Sequence, residues 1–299
     1  MSKMINPKYE GDKIAYLDND FIRKSTALQP MTELEINLLI YMCYKAKENV
    51  DLETGKGWTD VIEIDMKKFL AGKKGQAVVD EIVKEGGEAW YHFADLTDMS
   101  SIETLIKDTF EKYGSLDVLV NNAANVGLKD GKVDELTLEM WDAIFQSDLR
   151  GTFYTIKCAL PYMQKNEKGG SIINIGSMAS CGGDLGSTAY ACAKVGVNLL
   201  TQSTALQYGK DNIRCNCVRP GLIVTPQNEA HVPQALKDIF LSNIMVNRYG
   251  CPEDIGHMCV YLASDESCYV TGQIVDVDGG LNAHVPTVAQ FREMNARTW

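Results

Sequence analysis

The sequence predicts an α/β protein: one domain with a doubly wound parallel sheet in three α/β/α layers, preceded by an atypical N-terminal segment. Two observations carry that expectation. From Gly75 onward, short apolar or β-branched runs alternate with stretches of helical period, the signature of repeated strand–helix–strand units. One of those runs, Ser171 to Ile175, is bounded by Gly170 and Gly176 and suits a buried central strand.

The elements follow in order. Val61 to Asp65 has the composition of a strand, and Ala77 to Val83 has helical spacing that stops at Gly86 and Gly87. Ala89 to Phe93 is the next strand. Ser100 to Tyr113 is a helix closed by Gly114, and the apolar run Leu116 to Asn121 is a strand after it. Leu136 to Gln164 contains a long helix. After Ser171 to Ile175, a helix starts near Ser187 or Thr188, either of which can cap its free amides, and runs to Gly209. Ile213 to Val218 is an alternating strand.

Chemistry concentrates between Ser171 and Lys194. Ser177 lies at the C-terminal end of the predicted central strand, and ligands of open parallel sheets bind beyond that end. Tyr190 and Lys194 are four residues apart in the first turns of the next helix, so both project from one face. A phenol with an ordinary pKa of about 10 is a poor proton acceptor at neutral pH, but a neighbouring ammonium favours the phenolate. Tyr190 could then exchange a proton with an alcohol or carbonyl oxygen while Ser177 donates a hydrogen bond to the same oxygen.

Composition narrows the alternatives. A formal net charge of −11 without a basic cluster argues against nucleic acid or anionic lipid as a partner. The apolar run Ile36 to Tyr44 is too short to span a bilayer, and the first twenty residues lack the apolar core of a signal peptide. Nine cysteines, an odd number scattered over 299 residues, fit a reducing cytoplasm better than a disulfide framework. Cys215 and Cys217 share a strand face and read as small buried thiols, and no His or Cys spacing indicates a metal.

The serine, followed thirteen residues later by Tyr190 and then Lys194, resembles the Ser and YxxxK signature of the short-chain dehydrogenase/reductase family. Asn121-Asn122-Ala123-Ala124 is similar to that family's NNAG after its fourth strand. Arg219-Pro220-Gly221-Leu222-Ile223-Val224-Thr225 and Val270 to Gly280 resemble its segments after the sixth strand and around the last one. The resemblance covers 75–280, leaving 1–74 as an atypical segment and 281–299 as a tail that would pack on a neighbouring subunit.

This resemblance implies a Rossmann-like fold and an NAD-dependent oxidoreductase acting on a small-molecule alcohol or ketone, in a homodimer or homotetramer. Tyr190 would be the general acid/base and Ser177 would polarise the substrate oxygen. Lys194 would hold the nicotinamide ribose and lower the phenol's pKa. Asp148 stands where most members have asparagine in an NxxG segment, and would support the proton relay. Asp95 and Leu96 would meet the adenine. Asn121, Ala123, Pro220, Gly221, Ile223 and Thr225 would line the rest of the cofactor site, Ile223 by its backbone amide. Asp65, closing the strand from Val61, either binds the adenosine ribose and selects NAD over NADP, or is a strand-end acid capping the helix from Met66.

The segment Pro226 to Asn247 would close over substrate. Its Val232, Leu236, Ile239, Phe240, Ile244 and Met245, with Met178, Cys181 and Leu222 opposite, would admit an apolar and even steroid-like alcohol; such a stripe also serves core packing.

The N-terminus departs from the family. Lys13 to Leu17 is the counterpart of the first strand and Ile22 to Leu28 echoes its helix, but no glycine lies between them to let a pyrophosphate approach the backbone. Pro30 to Asn49 reads as an added helix, and Gly55 to Asp60 as a turn outside the strand–turn–helix context. The departure leaves a second reading, a catalytically silent relative kept for binding or structure.

Overall fold

The computed structural model describes residues 62–63, 71–84, 86–124, 130–224 and 232–298. Expectations for Lys13 to Leu17, Pro30 to Asn49, Gly55 to Asp60, Asp65 and Thr225 lie outside them.

Among the described residues six strands run in parallel. β1 (Ile62–Glu63) pairs with β2 (Trp90–Tyr91). β3 (Val118–Asn121), β4 (Gly170–Ile175), β5 (Ile213–Pro220) and β6 (Ile274–Val277) form a second sheet in chain order. Register places Val120 beside Ile173, Ile173 beside Asn216, and Val218 beside Val275. From Val61 onward the runs anticipated as strands each contain one, and β3 is buried along its whole length.

Seven of the eight α-helices among the described residues cover or extend this framework: α1 (Ala71–Lys84), α2 (Met99–Tyr113), α3 (Leu138–Phe145), α4 (Thr152–Met163), α5 (Thr188–Tyr208), α6 (Gln234–Asn243) and α7 (Pro252–Ala263). Their ends obey local chemistry. The Asp98 carboxylate accepts the Ser100 N–H at 2.9 Å to start α2, and Gly114 closes it in the left-handed region at φ 79°. Successive side chains of a strand point to opposite faces, so Ser171 and Asn174 of β4 report on both sides of the sheet. The Ser171 hydroxyl donates to the Leu262 carbonyl on α7, whereas the Asn174 amide donates to Thr201 on α5. Helices therefore cover both faces, and Ile102, Leu105, Leu119, Ile172, Ile173 and Met163 fill the interior.

One expectation changes. The long helix within Leu136 to Gln164 is interrupted by a π-turn, Gln146–Gly151, between α3 and α4. A widened turn frees carbonyls, and here the Ser147 hydroxyl lies 3.1 Å from the Ala143 carbonyl and 3.2 Å from that of Ile144. The tail after Gly280 forms α8 (Val288–Thr298), which is tied to α6 and the residue after it within the same chain. The Arg292 guanidinium donates to the Ser242 and Ile244 carbonyls at 2.8 and 2.9 Å, and the His284 ring nitrogen Nε2 lies 2.6 Å from the Asn243 carbonyl.

Among the described glycines the closest backbone approach is at the entry to β4. Gly169 has φ 75°, and a Cβ there would sit 2.1 Å from the Asn212 carbonyl oxygen, which accepts the Gly170 N–H. Gly169→Ala is expected to lower unfolding stability by about 1–3 kcal/mol, read from the urea midpoint at unchanged m-value.

Candidate active site

The site is built on α5. A helix leaves its first amides without partners, and the hydroxyls expected to satisfy them do not. Ser187 occupies the cap position without a side-chain bond to the helix, and the Thr188 hydroxyl donates instead to the Gly131 carbonyl at 2.6 Å. The acceptors are carboxylates. Asp130 takes the Ala189 and Tyr190 N–H groups at 3.2 and 2.9 Å, and Asp184 takes those of Gly186 and Ser187 at 2.8 and 2.9 Å. Negative charge suits the partly positive end of a helix, so two carboxylates replace the anticipated hydroxyl cap.

Tyr190 and Lys194 share one face of α5. The Lys194 ammonium stands 5.6 Å from the centroid of the Tyr190 ring and donates to the Ile175 carbonyl at 2.9 Å, at the C-terminal end of β4. Lys194 is 2% exposed. Two residues beyond Ile175, Ser177 has extended backbone, and its Oγ accepts the Ala179 N–H at 3.1 Å, opening the 3₁₀ turn Met178–Cys181. That bond uses the oxygen as acceptor and leaves the hydroxyl proton to donate elsewhere. Asn198 on α5 donates to Ser180 at 3.0 Å, and Ser180 donates to the Ser177 carbonyl at 2.6 Å, so this turn is tied to the same helix.

Beneath these groups runs a buried polar chain. The Thr155 hydroxyl on α4 donates to Asn121 at 2.6 Å, Asn121 donates to Asn174 at 2.8 Å, and Asn174 donates to Thr201 on α5 at 2.9 Å. It joins α4, β3, β4 and α5 through four buried side chains, and the Asn121 side chain is committed to it. Asp148 lies buried in the π-turn, where its carboxylate accepts from the Ser147 hydroxyl at 2.6 Å and its backbone carbonyl accepts from the Thr152 hydroxyl at 2.9 Å.

The anticipated cofactor residues sort by strand. Ala123 is buried just past β3. Pro220 ends β5, and Gly221 follows where a Cβ would sit 2.7 Å from the Asp278 Cα. Ile223 forms a parallel bridge with Gly250 through its neighbours: the Leu222 carbonyl accepts the Gly250 N–H at 3.1 Å, and the Val224 N–H donates to the Gly250 carbonyl at 2.9 Å. Asp95 and Leu96 follow β2. Asp95 accepts from the Thr97 amide and hydroxyl at 2.9 and 2.7 Å, while Leu96 is buried in the core. Burial pushes the Cys217 thiol up to about 11 and the Cys215 thiol higher still, the behaviour of unreactive packing groups.

On the substrate side, Ile244 is buried against the turn at Gly279, whereas Leu236, Ile239 and Met245 are exposed. Sequence reasoning missed Asp130, Asp184, Asn174 and Thr201. Asn174 carried a usable signal, because an amide inside a buried strand must find partners.

Comparison with known proteins decides the family. A family model described as enoyl-(acyl carrier protein) reductase matches residues 69–282. The 3-oxoacyl-acyl-carrier-protein reductase FabG of Thermotoga maritima is 36% identical over 231 residues, 76% of this chain and 92% of that protein. The 7alpha-hydroxysteroid dehydrogenase of Bacteroides fragilis is 35% identical over 217 residues, 72% of this chain and 83% of that one. A crystal structure of a short-chain dehydrogenase/reductase from Burkholderia xenovorans superimposes with TM-score 0.67 at 29% identity, over 75% of this chain and 85% of the other. This chain belongs to the short-chain dehydrogenase/reductase family.

Members of this family are oxidoreductases that use a nicotinamide cofactor, and the residues at the strand ends fit its nicotinamide half. A buried ammonium has three N–H donors, and Lys194 makes one hydrogen bond among the described residues, which leaves donors for the hydroxyls of a bound ribose. In this short-chain dehydrogenase/reductase the asparagine chain ties α4, β3, β4 and α5 together. Asn174→Ala strands the Asn121 amide, and is expected to cost about 1–3 kcal/mol of stability in urea titration, with weaker NADH binding by fluorescence.

Proposed function

We propose that this short-chain dehydrogenase/reductase is NAD(H)-dependent and interconverts a secondary alcohol and a ketone on a largely apolar, alicyclic or steroid-like substrate. The supporting observation is the placement of Lys194: buried, 5.6 Å from the Tyr190 ring, and bonded to the strand end from which Ser177 continues.

Tyr190 gives a proton to, or takes one from, the substrate oxygen. Lys194 stands beside the phenol ring and binds the ribose hydroxyls with its remaining donors. Ser177 donates its hydroxyl proton to the same substrate oxygen as charge develops there, its own oxygen held by the Ala179 N–H. Asp148 supports the relay from within the π-turn. A bound nicotinamide supplies hydride exchange with the substrate carbon, chemistry that no side chain provides.

Asp65 is the residue assigned to select NAD over NADP, and Asp95, Leu96, Asn121, Ala123, Pro220, Gly221, Ile223 and Thr225 to frame the dinucleotide, Leu96 and Asn121 by backbone. The steroid-like substrate class draws on the hydroxysteroid dehydrogenases among the relatives and on the exposed apolar Leu236 and Ile239 of α6. We place the enzyme in the cytoplasm as a homodimer or homotetramer, with 75–280 as the catalytic unit. Among the described residues no helix is long and apolar enough to cross a membrane.

The missing glycine turn, together with a family match that begins at residue 69, favours the second reading of a silent relative. Fluorescence titration with NADH and NADPH separates the two. Saturable NADH binding, with NADPH weaker, supports the enzyme; no binding of either at millimolar concentration supports the silent protein. With a 7α-hydroxy bile acid and NAD as assay substrates, Tyr190→Phe is expected to lower kcat at least about a hundredfold while NADH binding persists. Unchanged turnover in that variant removes Tyr190 from the chemistry.

A further inference from the structure

We propose that Asp130 is a positioning residue for Tyr190, holding the first turn of α5 in the orientation that the proton transfer needs; the inference rests on the role given to Tyr190 above. Tyr190 is the third residue of α5, and the first backbone bond within the helix is the one from the Ala191 N–H to the Ser187 carbonyl. The Tyr190 amide precedes it and has no acceptor within its own helix. The acceptor comes from a segment sixty residues earlier in the chain.

That segment grips three successive residues. The Gly131 carbonyl accepts from the Thr188 hydroxyl, one Asp130 oxygen accepts from the Ala189 N–H, and the other accepts from the Tyr190 N–H. The Gly131 N–H donates back to Asp130 at 2.8 Å, which fixes the carboxylate in its turn. Lys194 lies one turn further along α5 and is anchored separately to the Ile175 carbonyl. The ammonium is thus held by the sheet, whereas the phenol is held by a first turn that frays without an outside acceptor. Loss of the carboxylate lets Tyr190 move against Lys194 and Ser177, and small displacements of a proton-transfer group cost large factors in rate.

Both arms of the test use the full chain. In hydrogen–deuterium exchange, Asp130→Ala is expected to speed exchange of the Tyr190 amide at least about tenfold while β3 and β4 stay protected; unchanged protection of that amide overturns the inference, whatever the substrate. In turnover of the bile acid, Asp130→Ala is expected to lower kcat roughly tenfold to a hundredfold with KM for NAD unchanged, and Asp130→Asn, which keeps one acceptor oxygen, to recover most of it. The double variant with Tyr190→Phe is expected to be no slower than Tyr190→Phe alone. An additive loss, or parallel changes in kcat and KM, assigns Asp130 to general structure and overturns the inference. A Tyr190→Phe enzyme as active as wild type defeats the role of Tyr190 itself, a result separate from the behaviour of Asp130.

Discussion

The contact on which the site depends is the hydrogen bond from the Lys194 ammonium to the Ile175 carbonyl. An ammonium that is 2% exposed has lost most of its hydration, and only hydrogen-bond acceptors or negative charge recover the loss. The last carbonyl of a parallel strand is such an acceptor, because the strand ends there and its ladder does not continue. One bond therefore orients the lysine, docks α5 on β4, and sets Tyr190 at the end of the sheet where Ser177 emerges.

Below this end of the sheet lies a buried polar seam. In a sheet covered on both faces, strand side chains are ordinarily apolar, yet β3 and β4 carry Asn121 and Asn174 side by side in register. Each finds its partner on a helix of one face, Thr155 on α4 and Thr201 on α5, so the pair is satisfied and also specific. A purely apolar seam would bind α4 and α5 as firmly but would let them slide. Hydrogen bonds of fixed direction hold α5 in one register on β4, the register that brings Lys194 to Ile175.

Much of this was legible in the sequence because it rests on local rules. Strand ends at Gly170 and Gly176, the left-handed cap at Gly114 and the four-residue spacing of Tyr190 and Lys194 are statements about neighbours in the chain. What could not be read involves partners far apart. The acceptor for the Tyr190 amide is Asp130, and the hydroxyls beside that amide were the better local guess. The π-turn was missed for a related reason, since its residues have ordinary helical composition and the extra residue is accommodated by Ser147 and by packing from elsewhere. Leu96, which the family resemblance places at the adenine, has its side chain in the core, because the turn it sits in is also a wall of the interior.

That wall explains why the π-turn is placed where it is. A Cβ on Gly151 would stand 3.1 Å from the Leu96 Cβ, and one on Gly196 of α5 would stand 2.7 Å from a Leu149 methyl. The turn is pressed between the segment after β2 on one side and α5 on the other. Packed interiors transmit displacement instead of absorbing it, so a shift at Leu96 reaches α5 through Gly151, Leu149 and Gly196. Asp148 sits in the middle of this path with its carboxylate bonded to Ser147 and its carbonyl to Thr152. A straight α-helix through Gln146–Gly151 would rotate the residues beyond it by the angle of one residue, and Thr155 would no longer meet Asn121. The irregular turn is therefore what allows a single continuous segment to pack on Leu96 at one end and complete the asparagine chain at the other.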